Sequence, residues 1–376
     1  MNDSVSGPGF LQALFLATAA VTPAAAQSRA IEFPEVGGYH TLAVDLHTHS
    51  VFSDGSVWPV IRVQESERDG LALLAVTEHL EHQPRAADIP HPDRNRSFEI
   101  AAEYAGAEAP GVIVVNGAEI SRGMPPGHVN AVFLRDANAL LRADVMEVFR
   151  EANRQDAFLF WNHPAWITQR PDGVARLTDM HRRLIADGLL HGIEVANEHT
   201  YSAEALQIAL DYDLAILGVT DIHGLIDWEY DVHGGGHRTA TLVLAEERTA
   251  ESIKQALHAN RTAAWKDHEL IGREDVVVPL LEASLKVSAV RYREPRGSVV
   301  TVTLANGSGG AFDLLSVGPQ RFYDRAAVVE VPPYGTVELS VTGENSADFE
   351  LSFAVLNAIV APETHPTLRL AVEVPE

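Results

Sequence analysis

Residues 45–55 read DLHTHSVFSDG and stand at the end of an apolar run, residues 42–46. In a β-strand, residues two apart point to the same side, so the imidazoles of His47 and His49 can converge on one metal ion. Asp54 follows in Ser53-Asp54-Gly55, where the glycine permits a tight turn. The stretch therefore predicts a strand whose carboxyl end presents metal-binding side chains.

Further along the chain, short apolar runs alternate with amphipathic stretches. The runs lie at residues 42–46, 73–76, 112–115, 129–134, 158–161, 192–196, 214–219 and 241–245. Stretches with helical periodicity lie at residues 58–69, 138–154, 177–187, 203–211 and 250–259. Continuous apolar strands separated by helices indicate a parallel sheet covered on both faces, and seven or eight such units indicate an α/β barrel. In such barrels the chemistry lies where the strands end.

Histidine and acidic residues of the kinds that bind metal ions recur at the ends of these predicted strands. They occur in Thr77-Glu78-His79, Gly117-Ala118-Glu119, Asn162-His163-Pro164 and Thr220-Asp221-Ile222-His223, and His128 immediately precedes the run at 129–134. Each histidine alone is more readily explained as an ordinary core or loop residue, but the set as a whole is not. We interpret Glu78 as an outer partner of a metal-bound imidazole, because such imidazoles need a hydrogen-bond acceptor.

The composition of the 376-residue chain excludes several classes of function. It has 28 Lys and Arg against 52 Asp and Glu, a formal charge of −24, and no basic cluster, which argues against nucleic-acid binding. It has no cysteine, which excludes disulfides, thiolate catalysis and cysteine-bound metals. With 17 histidines, any metal site must use imidazole and carboxylate ligands.

The N-terminus has the pattern of an export signal. Residues 10–21 (FLQALFLATAAV) form an apolar run too short to span a bilayer, and Ala24-Ala25-Ala26 follows as a cleavage site. Against this, the first nine residues carry no Lys or Arg, and a frayed N-terminal helix is the alternative. We therefore predict a signal peptide over residues 1–26 and a periplasmic or secreted protein with no membrane span.

Beyond about Asp275 the pattern changes to short segments that alternate apolar and polar residues. Turn signals such as Asn306-Gly307 and Pro332-Pro333 separate them, and no convincing helix is visible. We predict an α/β barrel domain at residues 27–274 and an antiparallel β-sandwich at 275–376. A β-sandwich can mediate dimerisation, so the sequence leaves open whether the protein forms a homo-oligomer.

The motifs DLHTHSVFSDG, TEH, GAEIS followed by GHVN, NHP and TDIH resemble those of the PHP (polymerase and histidinol phosphatase) family, in the same order. The resemblance runs from about Ala43 to Ala264. It implies a distorted (β/α)7 barrel that holds two to three divalent metal ions at the carboxyl ends of its strands. Nitrogen and oxygen ligands leave zinc, manganese or iron open.

Matched motif by motif, the resemblance also implies three sets of ligands. His47, His49 and Asp221 would bind one ion, with Glu119 bridging to a second. His128 and His163 would complete the second site. Asp54, His79 and His223 would hold the third, although many family members have histidine at the Asp54 position.

Charge counting gives independent support for hydrolysis of an anionic group. Three divalent ions and three carboxylates leave about three positive charges, or about two after a bridging hydroxide, which suits a phosphate-like group. The resemblance implies a phosphoesterase that acts on small phosphomono- or phosphodiesters. The candidate catalytic residues are Glu119, Asp221 and His199. His199 follows Asn197-Glu198 at a strand end and is a candidate general acid, with a solvated loop histidine as the alternative.

Two other functions remain open from the sequence. The export signal points to exported members of the family, some of which resemble carbaryl hydrolases and cleave aryl carbamates or esters. A hydroxide held between metal ions attacks a polarised carbonyl as readily as phosphorus. The other alternative is a non-catalytic metal-binding scaffold whose β domain binds a partner, which nine intact ligand positions argue against.

Overall fold

The computed structural model describes residues 29–293, 299–323, 325–342 and 347–374. The predicted signal peptide, residues 1–26, lies outside the described residues and stays a prediction. Over the described ranges, no helix combines the length and the hydrophobicity needed to cross a bilayer. An α/β barrel is followed by an antiparallel β-sandwich, which confirms the predicted fold class.

The barrel sheet contains mostly buried strands. In chain order they are β1 (His40–Asp45), β2 (Leu73–Val76), β3 (Ile113–Ser121), β4 (His128–Val132), β5 (Phe158–Trp161), β6 (Gly192–Asn197), β7 (Thr200–Tyr201), β8 (Ala215–Val219), β9 (Ala240–Ala245), β10 (Thr262–Lys266) and β11 (Glu269–Gly272). The sheet order is β11-β10-β9-β1-β2-β3-β4-β5-β6-β7, and β8 also pairs with β6. β1, β2 and β3 run parallel, as do β5, β6 and β8, whereas β4 and β9 are antiparallel to their neighbours. The sheet is therefore mixed rather than purely parallel.

The barrel closes where β8 meets β9. The Gly218 amide donates to Thr241 Oγ1 over 3.0 Å, and that hydroxyl donates to the Gly218 carbonyl over 2.8 Å. A Cβ on Gly218 would lie 2.7 Å from the Ala240 carbonyl oxygen, so only glycine permits this approach. A side-chain hydroxyl thus joins the two strands without a regular backbone ladder.

Helices cover the outside of the sheet. They are α1 (Pro59–Arg68), α2 (Arg96–Glu108), α3 (Val145–Arg154), α4 (Asp179–Ala186), α5 (Ala203–Asp211), α6 (Ile226–Glu229), α7 (Ala250–His258) and α8 (Glu274–Ser284), with a 3-10 turn at Ala137–Leu140. The predicted helix at 138–154 is shorter than expected. Asp144 accepts hydrogen bonds from the amides of Met146 and Glu147, so it caps α3 and separates it from the 3-10 turn.

The sandwich consists of two four-stranded sheets. Its strands, together with the short β19, are β12 (Leu285–Arg293), β13 (Val299–Asn306), β14 (Phe312–Ser316), β15 (Arg321–Phe322), β16 (Val328–Val331), β17 (Thr336–Thr342), β18 (Phe349–Val355), β19 (Ala358–Ile359) and β20 (Thr367–Val372). The sheet orders are β12-β13-β17-β15 and β16-β14-β18-β20. β19 instead pairs with β11, and so it extends the barrel sheet.

Helix α8 corrects one prediction, because no helix was expected beyond about Asp275. It includes Pro279 and the β-branched run Val276-Val277-Val278, which together disguise its periodicity. Its buried face, Val276, Val277, Leu280 and Leu281, belongs to a core shared by barrel and sandwich. Packing of that face outweighs the weak local preference for helix.

Trp265 lies in this shared core and links the two parts of the molecule. Its side chain is 2% exposed and packs edge-on against Phe33, with ring centroids 5.1 Å apart. The same core contains Leu242 and Leu270 from the barrel and Phe312 from the sandwich.

We expect Trp265→Ala to lower the free energy of unfolding by about 3–5 kcal/mol, because it leaves a large cavity in a rigid core. Urea denaturation followed by circular dichroism measures this change. Trp228→Ala is the matched control, because Trp228 is 72% exposed and its loss is expected to cost less than about 0.5 kcal/mol. Equal stabilities of the two variants would contradict the shared core.

Candidate metal centre

The structure brings all nine predicted ligand residues together at one rim of the barrel. Because β4 runs antiparallel to β3, its first residue, His128, lies at the same rim as the carboxyl ends of the parallel strands. The nine residues are His47, His49, Asp54, His79, Glu119, His128, His163, Asp221 and His223, and distances of 3.7 Å or less connect them. The rim thus concentrates imidazole and carboxylate side chains from distant parts of the chain.

The first group of donors surrounds a point between β1 and β8. The Nε2 atoms of His47 and His49 lie 3.0 Å apart, and each lies 3.1 Å from Asp221 Oδ1. Glu119 Oε2 lies 3.6 Å from the first nitrogen and 3.5 Å from the second. Four ligands of a tetrahedral ion with bonds of about 2.0–2.1 Å stand about 3.3 Å apart. His47, His49 and Glu119 lie close enough together to hold one such ion, and Asp221 lies 3.1 Å from both imidazoles.

The second group uses the other oxygen of Glu119. Its Oε1 atom lies 2.8 Å from His128 Nδ1, 3.4 Å from His163 Nε2 and 3.0 Å from the Asn162 side-chain amide. The two oxygens of one carboxylate therefore face two different sets of imidazoles. This is the geometry expected of a ligand shared between two ions.

The third group lies beside the first. Asp54 Oδ1 is 3.2 Å from His223 Nε2, and Asp54 Oδ2 is 3.1 Å from His79 Nε2. The opposite nitrogen of His79, Nδ1, lies 2.5 Å from Glu119 Oε2. His79 therefore contacts both the third group and the shared carboxylate.

Unsatisfied oxygens show that these residues suit a cation. Glu119 Oε2 and Asp54 Oδ1 are buried and accept no hydrogen bond of normal geometry within the described residues. Each is aimed at imidazole nitrogens rather than at dedicated donors. Buried oxygens without donors are costly, and coordination to a divalent ion removes that cost. The donor set fits divalent metal ions.

The carboxylates perturb the pKa of the surrounding imidazoles. Burial lowers the pKa of His79, but Glu119 and Asp54 outweigh burial and raise that pKa to about 10. The pKa of His47 is likewise raised, against burial, by Asp221, Glu194 and Glu119. Burial and the neighbouring imidazoles instead lower the pKa of His49 to about 4. In the absence of metal ions, the site therefore contains both protonated and neutral imidazoles at pH 7.

Glu194 is the most important residue that the sequence analysis missed. Its Oε1 lies 2.7 Å from His47 Nδ1, and its Oε2 accepts from the His163 amide over 2.5 Å and from Asn197 Nδ2 over 2.9 Å. It orients one ligand directly and holds the backbone of another. The available signal was a lone acid between Ile193 and Val195, inside an apolar strand.

Glu78 supports His49 rather than its neighbour in sequence, His79. It accepts from the Ser50 amide and from the Ser50 and Ser53 hydroxyls, and Ser53 Oγ lies 3.3 Å from His49 Nδ1. Its contact with the site therefore runs through Ser53 to His49, not to His79.

Two ligand residues adopt left-handed backbone. His163 has φ 26° and Asp221 has φ 52°, a conformation that non-glycine residues rarely adopt. The Glu194 carboxylate holds the His163 amide, and the His47 carbonyl accepts from the Asp221 amide over 3.0 Å. The surrounding hydrogen bonds thus enforce strained backbone at the site.

The structure does not bring His199 to the ligand groups. Its Nε2 lies 2.8 Å from the Glu229 carbonyl oxygen, and its Nδ1 lies 3.4 Å from Asp267 Oδ1. The neighbouring Glu198, rather than His199, lines the cavity beside His163 and Asp221.

An α/β barrel with imidazoles and carboxylates clustered at one rim is the architecture of a metal-binding barrel protein. A solved two-domain protein from Bacteroides vulgatus, which contains a predicted PHP-like metal-dependent phosphoesterase, matches 91% of this chain and 98% of its own at 39% identity and TM-score 0.84. The chain therefore belongs to the PHP family.

The other comparisons add less. A family model described as an Ig-like domain matches residues 285–371. PsfC from Pseudomonas syringae is 17% identical, with TM-score 0.41, and the match covers 60% of this chain and 91% of that one, from which we draw nothing. No curated protein matches the chain.

Metal binding is expected to release protons, since ions bind neutral imidazoles while His79 and His47 have raised pKa values. Affinity should therefore rise with pH between 6 and 8, well below the His79 pKa of about 10. Titration calorimetry with Zn²⁺ or Mn²⁺, in buffers of different ionisation enthalpy, counts the protons. Binding without proton release would contradict this protonation pattern.

Glu194→Gln is expected to weaken metal binding roughly 10–100-fold, because the amide orients His47 and His163 less well. Competition with a chelator measures the affinity. Glu99→Gln on the exposed face of α2 is the matched control and should leave the affinity unchanged. A wild-type affinity in Glu194→Gln would show that Glu194 does not position the ligands.

Proposed function

We propose that this protein is an exported metal-dependent phosphoesterase that hydrolyses small phosphomono- or phosphodiesters. The observation that carries the proposal is the position of Glu119. One of its oxygens faces His47 and His49, while the other faces His128 and His163. Pairs of ions that share a carboxylate are suited to in-line displacement at phosphorus. The Bacteroides relative, which contains a predicted phosphoesterase, supports the same activity.

The charge of the site favours an anionic reacting group. When bound, divalent ions supply Lewis acidity, which polarises the ester and lowers the pKa of water. Three carboxylates, those of Asp54, Glu119 and Asp221, do not neutralise three such ions. The rim is then a local positive region on a chain of formal charge −24, and it attracts a phosphate group in preference to neutral groups.

The protein's own residues hold and orient the reacting parts. Glu119 belongs to both of the first two groups, and Asn162 donates to Glu119 Oε1 over 3.0 Å, which holds that carboxylate in place. Asn197 Nδ2 lies 3.4 Å from Asp221 Oδ2 and 2.9 Å from Glu194 Oε2. These contacts pre-organise the site, so little rearrangement is needed when substrate binds.

A carbamate or ester hydrolase remains the second candidate function. The cavity beside the centre has an apolar side formed by Trp166 and Ile167, which suits an uncharged aryl ester as well as a phosphoester. The same set of ligands serves attack at carbon or at phosphorus. Substrate profiling distinguishes the two functions.

The test compares bis-p-nitrophenyl phosphate, p-nitrophenyl phosphate and 1-naphthyl N-methylcarbamate, with metal content measured by elemental analysis. We expect two to three ions per chain and turnover of the phosphoesters. The double variant His47→Ala/His49→Ala should lose metal and more than about 100-fold of the activity, since loss of an outer partner alone costs roughly 10–100-fold.

His40→Ala is the matched control, because His40 is exposed and pairs only with Glu35 at 2.7 Å in the described part of the chain. It should retain full metal content and activity. Turnover of the carbamate alone would establish the second candidate. Activity that survives the double variant would overturn the assigned site.

A further inference from the structure

A cavity of about 320 Å³ opens directly beside the candidate metal centre. His163 and Asp221 are among the residues that line it, so a molecule in the cavity lies next to two ligand residues. The volume is at the lower end of the roughly 300–1,000 Å³ typical of small-molecule sites. It is therefore large enough for an organic group attached to an ester bound at the centre.

One side of the cavity is apolar and fixed to the ligands. Trp166 lies with its ring centroid 5.1 Å from that of His163 and 5.4 Å from that of His128, yet the residue is 41% exposed. The Trp166 amide donates to the His163 carbonyl over 2.9 Å, so the turn that carries the ligand also carries the indole. Ile167 beside it is 69% exposed. Exposed apolar surface at a cavity mouth is typical of a binding surface.

Glu198, an exposed residue, also lines the cavity. This residue has φ 51°, and its backbone is held by a bond from its amide to the Val219 carbonyl and by another from Thr239 Oγ1 to its own carbonyl. Within the described residues its carboxylate makes no hydrogen bond or ion pair. Its carboxylate, at a residue that lines the cavity, is therefore available to a ligand bound there.

The charge of the cavity opposes a second anion. None of the described residues that line it is Lys or Arg. Partial burial, Asp221 and Glu229 raise the pKa of Glu198 and outweigh His223 and His199, which lower it. A second anionic group on the leaving group, placed away from the metal centre, would therefore meet the Glu198 carboxylate and find no Lys or Arg among the described lining residues.

We propose that this cavity binds the alcohol half of the substrate and selects a planar, apolar group that carries a cationic or hydrogen-bond-donating substituent facing Glu198. The inference rests on the proposed phosphoesterase function and specifies its substrate class. Trp166 provides the surface on which the planar group packs. Glu198 discriminates by charge. Leaving groups with a second anionic group are disfavoured.

The first experiment measures kcat/KM of the metal-loaded protein for four phosphomonoesters. These are phenyl phosphate, 4-(aminomethyl)phenyl phosphate, 4-carboxyphenyl phosphate and glycerol 3-phosphate. We expect the aminomethyl compound to be the best substrate and to exceed the carboxy compound by about tenfold or more. Phenyl phosphate should exceed glycerol 3-phosphate, because only the former has a ring to pack on Trp166.

Two variants then test the roles of Trp166 and Glu198 separately. Trp166→Ala should reduce the preference for phenyl over glyceryl ester by about tenfold. Glu198→Gln should reduce the preference for the aminomethyl over the carboxy compound by about tenfold. Trp228→Ala is the matched control, because Trp228 is exposed but does not line the cavity, and it should change neither ratio. A merely structural role would lower all four rates together and leave the ratios unchanged.

Equilibrium binding supplies a readout that does not depend on turnover. Titration calorimetry should show that 4-(aminomethyl)phenol binds more tightly than 4-hydroxybenzoate, and Glu198→Gln should remove that difference in affinity. Turnover of all four esters with no such preferences would overturn this inference while the proposed function stands. Turnover of none of them, with preserved binding of the phenols, would overturn the phosphoesterase function and leave the cavity's selectivity intact. Loss of both ester turnover and phenol binding would overturn the proposed function and this inference together.

Discussion

The carboxylate of Glu119 is the constraint around which the metal-bearing end of the molecule is built. It is buried at the barrel rim, where an unpaired charge would be strongly destabilising. Imidazoles from strands far apart in sequence surround it, and its own pKa is held well below the usual range despite burial, mainly by His79 and His47. The strands must therefore bring these imidazoles to one height at the rim, from beyond the carboxyl ends of the parallel strands and from the first residue of β4. The curvature of the sheet and the closure of β8 against β9 supply that arrangement.

Buried charge beneath the rim keeps the ligands in register. Asp45 accepts from Arg238 Nη2 over 2.6 Å, from the Thr220 hydroxyl over 2.6 Å and from the His47 amide over 3.3 Å, which joins the ends of β1 and β8. Arg62 donates to the carbonyl oxygens of His49 over 2.8 Å and of Gly224 over 2.6 Å. These hydrogen bonds hold in place the chain segments that carry the ligands, and metal ligands require such a fixed geometry.

Much of the barrel was predictable because its signals are local. Apolar runs with a polar residue just beyond them placed β1, β2, β5 and β8 to within two residues, and Ser202 and Thr249 mark the starts of α5 and α7 as caps. Helix α8 was missed because Pro279 and its valines disfavour helix locally, and only the shared core stabilises it. The direction of β4 was not predicted either, since strand direction depends on pairing partners rather than on composition.

The sequence by itself determined the donor set: the residue types, their order along the chain and their position at strand ends are visible without coordinates. Tertiary structure alone decided how those donors combine, because Glu119 faces two groups only when β3 lies between β2 and β4 in the curled sheet. It also decided that Glu194 supports His47 and His163, and that Trp166 and Glu198 face one cavity. These pairings join residues about 30 to 150 positions apart, and spacing along a chain carries no information about distance across a closed barrel.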